Sequence, residues 1–304
     1  MLEIKVETEN WQTHTRISAE RLRDLVCRIG GAGDQFLVVQ RVPDLPDVFI
    51  QVAHEPGGPY EFQHRTGMDA GHLFVTRVPE PGTVADAMIG WARQESGWDA
   101  GIEWARLEDP PRTEVPELGP EVRRAVEERV RTLLRCGYLA RRELTEAAEE
   151  WLVDGDERPV SRPQARLLVD QLWLERLDEQ AQWAGPMDPD RLQEAFAALE
   201  SSGITARENF TCCRGCGLAE IGGSGPADAR GFVFFHAQGT EAAADGGGLS
   251  LYYGGFDGTA EQTTRIGREV VGALTRAGLS AQWDGSADKA IEITELNWRR
   301  RLTG

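Results

Sequence analysis

Lysine is nearly absent from this 304-residue sequence: Lys5 and Lys289 are the only two, and every other cationic side chain is arginine. Codon usage in a GC-rich genome, which favours Arg, Ala and Gly, accounts for that bias without a functional demand. Cysteine is scarce as well, at five residues. An odd count with no secretory leader argues against a disulfide framework and for reduced thiols. Long apolar runs are missing: none approaches the roughly 20 residues of a membrane span. The opening MLEIKVETENWQ has neither the basic nor the apolar region of a signal peptide. The expectation is a cytoplasmic protein that does not engage a membrane.

Catalytic signatures are lacking too. The glycine runs GGAG (30–33), GGSG (222–225) and GGG (246–248) continue into neither G-K-[ST] nor the G-x-G-x-x-G of a strand-to-helix turn, so they read as turns. No G-x-S-x-G, H-E-x-x-H or kinase motif occurs.

Acidic residues, by contrast, are abundant, and the net charge is −17. Residues 1–110 and 111–202 carry −8 and −7, whereas 203–304 carry only −2. Such a surface repels phosphate backbones, which argues against direct nucleic-acid binding; it suits a protein partner with a basic surface, although acidity of this kind is ordinarily a matter of solubility.

The pattern along the chain predicts an α+β protein. In the first third, Ser18 caps a helix with Leu22, Leu25, Val26 and Ile29 at i, i+3, i+4 and i+7. Strand-like stretches follow at 36–42, 48–55, 60–65 and 72–78, separated by Pro, Gly and Asp as hairpins require. Thr83 is the expected cap of a second helix with Val84, Ala87, Met88 and Trp91 on one face, and a last strand covers 101–107. These make a small antiparallel meander domain over residues 1–108, closed by a Pro- and Glu-rich linker at 109–120. A helical segment occupies 121–185, with Val122, Val126, Val130 and Leu133 as one stripe stopped by Gly137. Residues 186–304 read as a ferredoxin-like domain, an antiparallel sheet with two helices. The first of those helices has Asp188 as its cap before Pro189, and the second runs through Ile266, Val270 and Leu274. The closing Trp298-Arg299-Arg300-Arg301 reads as a charged, frayed end.

Several of these segments carry a resemblance. GITARENFTCCRGCGLAEI, RGFVFFHAQGTE, LSLYYGG, IGREVVGALTRAGLSAQWDGS and NWRRR resemble an uncharacterised bacterial family classed as a domain of unknown function, common in high-GC Gram-positive bacteria. The likeness covers the last two thirds of the chain and implies an intact domain rather than an activity. Gly239 departs from the family's HxQDTE pattern, which has Asp there, so that stretch is not an acidic catalytic motif. The front third is similar in its helix and sheet order, and in VFIQVAHEPGGPYEFQHR, to secretion-chaperone-like and toxin-immunity domains.

Chemistry concentrates in ENFTCCRGCG, residues 208–217. Cys213 and Cys216 form a C-x₂-C, the spacing with which two thiolates grip one tetrahedral zinc from a tight turn. Cys212 offers a third sulfur, although neighbouring residues of an extended segment point apart, and His236 on the following strand is the candidate fourth ligand. The same thiols serve a redox reading, in which a helix starting near GLAEI and the charge of Arg214 favour the thiolate. A third reading is a crowded turn filled by small apolar thiols, with Gly215 and Gly217 giving backbone freedom and no cofactor present. Cys136 lies on a helix stripe and reads as core; Cys27 lies off its helix's apolar face. His236 with Glu241 as base and orienting carboxylate, and a metal shared by His54, His64 and His72, are weaker arrangements: the first is an ordinary strand-end histidine, and the three imidazoles need not share a face. The function that these absences and patterns favour is a non-enzymatic interaction or regulatory protein, of immunity or chaperone type. The alternative is a zinc-binding or thiol-redox protein built on Cys212, Cys213, Cys216 and His236.

Overall fold

The structure, a computed structural model, describes residues 1–67, 72–108 and 114–302. The chain divides into two compact units, Met1–Glu117 and Leu118–Leu302. Part of the Pro-rich linker, 109–113, lies outside the described residues. Among those described, no helix is long and apolar enough to cross a membrane.

The first unit runs β1 (Ile4–Thr8), β2 (Thr13–Thr15), α1 (Ala19–Arg28), β3 (Phe36–Arg41), β4 (Val48–His54), β5 (Tyr60–Thr66), β6 (His72–Val78), α2 (Pro81–Ala92) and β7 (Ala105–Glu108). The sheet has seven strands in the order β2-β1-β3-β4-β5-β6-β7, all antiparallel. Period-two alternation places Ile4, Val6, Val39, Ile50, Val52 and Phe62 on one face, where they meet the apolar stripes of α1 and α2 in a single core. The Ser18 hydroxyl accepts the Arg21 N–H at the start of α1, and Leu22, Leu25 and Val26 are buried as their spacing predicts.

Two expectations change in this unit. The sheet gains β1 and β2, because Ile4, Val6 and Thr8 alternate inward along a stretch whose polar residues resemble a loop. Helix α2 begins at Pro81 with Glu80 at the cap position, rather than at Thr83. Proline lacks an N–H and has φ preset for the first helical position, so the cap falls at Glu80, three residues before Thr83.

The second unit starts with α3 (Pro120–Cys136), α4 (Arg141–Glu150) and α5 (Arg162–Gln180). Val130, Leu134, Leu144, Leu172 and Trp173 form their common core. Gly137 ends α3 at φ 76° and returns its N–H to the Leu133 carbonyl, the left-handed stop that glycine permits. Next come α6 (Asp188–Ser201), β8 (Ile204–Arg207), α7 (Arg214–Glu220), β9 (Gly231–Phe234), α8 (Ala237–Ala244), β10 (Leu249–Gly255), α9 (Ala260–Arg276), β11 (Ala281–Gln282) and β12 (Ile291–Ile293). The five strands lie in the order β11-β12-β10-β9-β8. Leu192, Phe196 and Leu199 of α6 and Ile266, Val270 and Leu274 of α9 pack on Val233, Leu251 and Ile293.

The α+β class holds, and the ferredoxin-like detail does not. β8 and β9 pair in parallel, Ile204 opposite Gly231, while the other pairs are antiparallel. A parallel neighbour cannot be reached by a hairpin, and the crossover contains α7. Helices α7 and α8 thus join the two expected ones. The cap of α6 is Met187 rather than Asp188: the Asp190 carboxylate accepts the Met187 N–H, and Asp188 Oδ2 accepts the Asn297 N–H.

The Trp-Arg-Arg-Arg end is not frayed. Trp298 is buried and its Nε1 donates to the Arg135 and Cys136 carbonyls. Arg300 pairs with Glu208 at 3.0 Å and lies over the Tyr138 ring, and Arg301 pairs with Asp190 at 2.8 Å. A buried indole with a satisfied N–H, flanked by guanidinium–carboxylate pairs, is an anchor.

Candidate thiol site

The site is built on the crossover from β8 to β9. After Arg207 the chain turns through Asn209 at φ 48° and Thr211 at φ 58°, left-handed conformations that L-residues adopt at a cost of about 1–3 kcal/mol. Hydrogen bonds to the next strand and helix hold them there. Phe210 N–H donates to the Phe235 carbonyl, Ala237 N–H to that of Thr211, and the Thr240 hydroxyl to Asn209 Oδ1. The turn rotates Cys212 back over the start of α7. Cys213, in extended conformation, is the cap of that helix and its carbonyl accepts the Gly217 N–H.

In consequence all three sulfurs converge. Cys212, Cys213 and Cys216 place their Sγ atoms within 4.8 Å of one another, and Cys212 and Cys216 are 3.5 Å apart. The expectation that Cys212 would point away from Cys213 is corrected, because the segment is a left-handed turn entering a helix rather than an extended strand. Cys212 is exposed and the other two are half-buried.

Their protonation differs. Backbone N–H groups of Cys216 and Gly215 and the neighbouring thiols donate to Cys213, which lowers its pKa. Cys216 supplies a proton to the shared cluster, and its own pKa is pushed up to about 11 by its hydrogen bonds to Cys212 and Cys213 and by their charge. Cys136 behaves as an inert core thiol: it is buried, and desolvation first of all raises it to about 11.

His236 caps α8. Its Nδ1 accepts the Gly239 N–H at 3.0 Å, its ring stacks on Tyr252 with centroids 5.4 Å apart, and burial lowers its pKa. An imidazole accepting at Nδ1 carries its proton on Nε2 when neutral, so in this arrangement it is a helix cap rather than a donor to the thiol cluster. Glu241 pairs instead with Arg129 at 3.0 Å. His54 stacks on Tyr60, and His64 lies against Phe74, Trp98 and Trp104. Among the described residues the cysteine trio is the sole group of three or more potential ligands so arranged.

Sequence reading missed Tyr252, an aromatic floor beneath Arg214 of the thiol-bearing helix. Arg214 lies over its ring at 5.1 Å, and Phe234 and His236 flank it. The alternation in LSLYYGG carries the signal, since Leu251 and Tyr253 face the core and Tyr252 therefore faces the other way. Gly217 explains how α7 sits so close to this aromatic floor: a Cβ there would meet the Phe234 ring at 2.3 Å.

The thiol-bearing crossover lies inside residues 119–302, which match the family model of a domain of unknown function, DUF6891. The chain belongs to that family. No curated protein and no solved structure gives a significant match to it. The DUF6891 region takes in α3 through β12, so it coincides with the second unit and leaves the seven-stranded sheet outside.

Proposed function

We propose that this DUF6891 protein is a thiolate metal-binding protein that holds one zinc ion on Cys212, Cys213 and Cys216. The convergence of the three sulfurs carries the reading. A tetrahedral site with Zn–S bonds of about 2.3 Å has S···S edges of about 3.8 Å. The 3.5 Å contact and the 4.8 Å limit bracket that value, so small rotations about χ1 close the site. Amide donors on Cys213 favour the deprotonated form that a metal requires. With His236 engaged as a helix cap, the fourth position falls to a ligand from outside the cluster. Metal analysis of protein reconstituted with zinc is expected to give one equivalent per chain. Serine at any of the three cysteines is expected to weaken binding about 100-fold, and His236→Asn, which keeps a capping group, to change it little. Less than about a tenth of an equivalent bound would overturn the reading.

A second observation favours a non-enzymatic interaction role for the same domain. Leu218 on α7 and Phe256 after β10 are 45 % and 42 % exposed, and the Phe256 ring lies tilted against Phe232, 5.4 Å away. Exposed apolar side chains suit the binding of a protein partner, and the acidic surface suits a basic one. A partner that co-purifies in stoichiometric amount and is lost on Leu218→Asp and Phe256→Asp supports this role; retention by both variants argues against it.

A further inference from the structure

A tetrahedral zinc takes four donors, and this cluster offers three. Cys212 and Cys213 stand before α7 and Cys216 inside it, and among the described residues no histidine or carboxylate completes the set. His236 Nδ1 accepts the Gly239 N–H, and Glu208, at the start of the same segment, accepts from Tyr138 and Arg300. The Cys212–Cys216 contact, at 3.5 Å, is shorter than the edge of about 3.8 Å that a tetrahedral zinc sets. The frame that gathers these sulfurs uses none of them. Phe210 N–H donates to the Phe235 carbonyl, Ala237 N–H to that of Thr211, and the Thr240 hydroxyl to Asn209 Oδ1, so the tripod is in place before anything binds. Cys212 is exposed and the other two are half-buried, which leaves the tripod open to a small solute.

We propose that this tripod captures trivalent arsenic, taken up as arsenous acid on Cys212, Cys213 and Cys216 and held without a fourth donor. The proposal rests on the metal-binding reading above for the convergence of the sulfurs, and not on zinc being the occupant. Trivalent arsenic keeps a lone pair and makes three bonds in a pyramid whose angles are smaller than tetrahedral, so its sulfurs sit closer together than those of zinc. Three soft donors with a short sulfur–sulfur contact and no fourth partner meet that demand, whereas zinc must recruit a ligand from outside the cluster. In each exchange a thiol sulfur bonds to arsenic, one As–O bond breaks, and the thiol proton leaves with that hydroxyl as water. Three exchanges turn one arsenous acid and three thiols into one arsenic tris-thiolate and three waters. Arsenic stays trivalent, sulfur is not oxidised and no net charge develops. The third sulfur separates this cluster from a simple dithiol, because once two bonds hold the arsenic the third forms within the chain, at high effective concentration.

The experiment uses the full chain, reduced with a phosphine that is then removed, metal-free and zinc-loaded, and titrated with sodium arsenite. Native mass spectrometry is expected to show one arsenic per chain with three hydrogens lost. Alkylation and peptide mapping are expected to find Cys212, Cys213 and Cys216 protected and Cys27 still reactive, and the loaded form to release one zinc per arsenic bound. Serine at any one of the three is expected to give an adduct that keeps one hydroxyl on arsenic and binds about 100-fold more weakly, since one link of the chelate is gone. His236→Asn is expected to leave arsenite affinity unchanged, because no fourth donor is used. The mapping of the unmutated chain decides the matter even where a serine variant fails to fold. The proposal is overturned if arsenite protects only two of the three thiols, if it protects Cys27 instead, or if Cys212→Ser binds it as tightly as wild type. A chain that forms the three-sulfur adduct but holds no zinc refutes the zinc reading alone, and one that binds zinc yet holds arsenite on two thiols refutes the proposal alone.

Discussion

The two sheets of this protein solve the same problem in different ways, and the clustered thiols lie on a connection of the second. In the first unit strands β3, β4, β5 and β6 are neighbours in the sheet in the order in which they occur in the chain. The second unit sets β8 and β9 side by side in parallel, and the chain must travel from one end of the sheet back to the other. That journey, residues 208–230, holds the left-handed turn, α7 and all three clustered cysteines. A crossover can be shaped by its own hydrogen bonds, whereas a tight hairpin is shaped by the sheet. The core of the first unit is a layer of apolar side chains between sheet and helices.

The largest effect that tests this contrast comes from the core of the first unit. Phe62 is fully buried under α2 and opposite Val52 in the register of β4 and β5. Phe62→Ala is expected to cost about 3–5 kcal/mol of stability in the first unit. Urea unfolding followed by tryptophan fluorescence, together with arsenite binding by the cysteines, separates the units. If each unit has its own core, the thiol chemistry is unchanged while the first transition moves to lower urea. Thiols that lose their arsenite binding in step with that transition would show that the two units unfold together.

How far the sequence discloses this architecture depends on where the information resides. Helix α1 is legible because Leu22, Leu25, Val26 and the Ser18 cap agree with one another at short range. β1 carries an equally regular alternation, but five residues among polar neighbours resemble a loop until β3 is there to pair with it. Helices α7 and α8 are seven and eight residues long and rich in Gly, Ala and Cys, so neither shows a stripe. The parallel pairing of β8 with β9 is a tertiary choice that strand composition does not specify. The cysteine motif itself is plain, and what hides its geometry is the left-handed φ of Thr211, a β-branched residue that by itself predicts extended backbone. Cys212 joins the cluster because of that turn. His236 looks like a ligand in the sequence because the helix that it caps is invisible there.

A smaller effect probes the crossover. Gly217 has no Cβ where α7 rests on Phe234, and alanine would bring a carbon to 2.3 Å from the ring. Relieving that overlap requires α7 to lift from the sheet, at an expected cost of about 1–3 kcal/mol in the second unit. The thiols ride on the same helix, so Gly217→Ala is expected to reduce zinc affinity as well as stability. Gly215→Ala is the control, because nothing lies within 4 Å of a Cβ there. If both substitutions behave alike, the close packing of α7 on Phe234 is not what positions the sulfurs.

The smallest effect, and the one that sharpens the contrast most, is the response to acid. His64 in the first unit is buried among Phe74, Trp98 and Trp104, and among the described residues its Nδ1 has no hydrogen-bond partner. Burial lowers its pKa from 6.5, with the Asp99 charge opposing, so the folded chain refuses a proton that the unfolded chain accepts. Stability of the first unit is therefore independent of this group above about pH 6.5 and falls as the pH drops below it toward the folded value. His14, lowered by burial and by Arg21 and Arg28, adds a loss of the same sign. In the second unit burial also lowers His236, and protonation there removes the Nδ1 acceptor of the Gly239 N–H, so acid unfastens a helix cap beside the thiols. Urea midpoints measured near pH 7.5 and pH 5.5 distinguish the two origins. His64→Phe is expected to flatten only the first unit's response, leaving the share due to His14. His236→Asn, whose side chain caps without titrating, is expected to flatten only the second's. A first-unit midpoint that still drops by the full wild-type amount in His64→Phe would show that the buried imidazole is not the acid-sensitive group. The first unit would then answer to acid through His14 and its surface carboxylates, and the contrast between the two sheets would rest on the thiols alone.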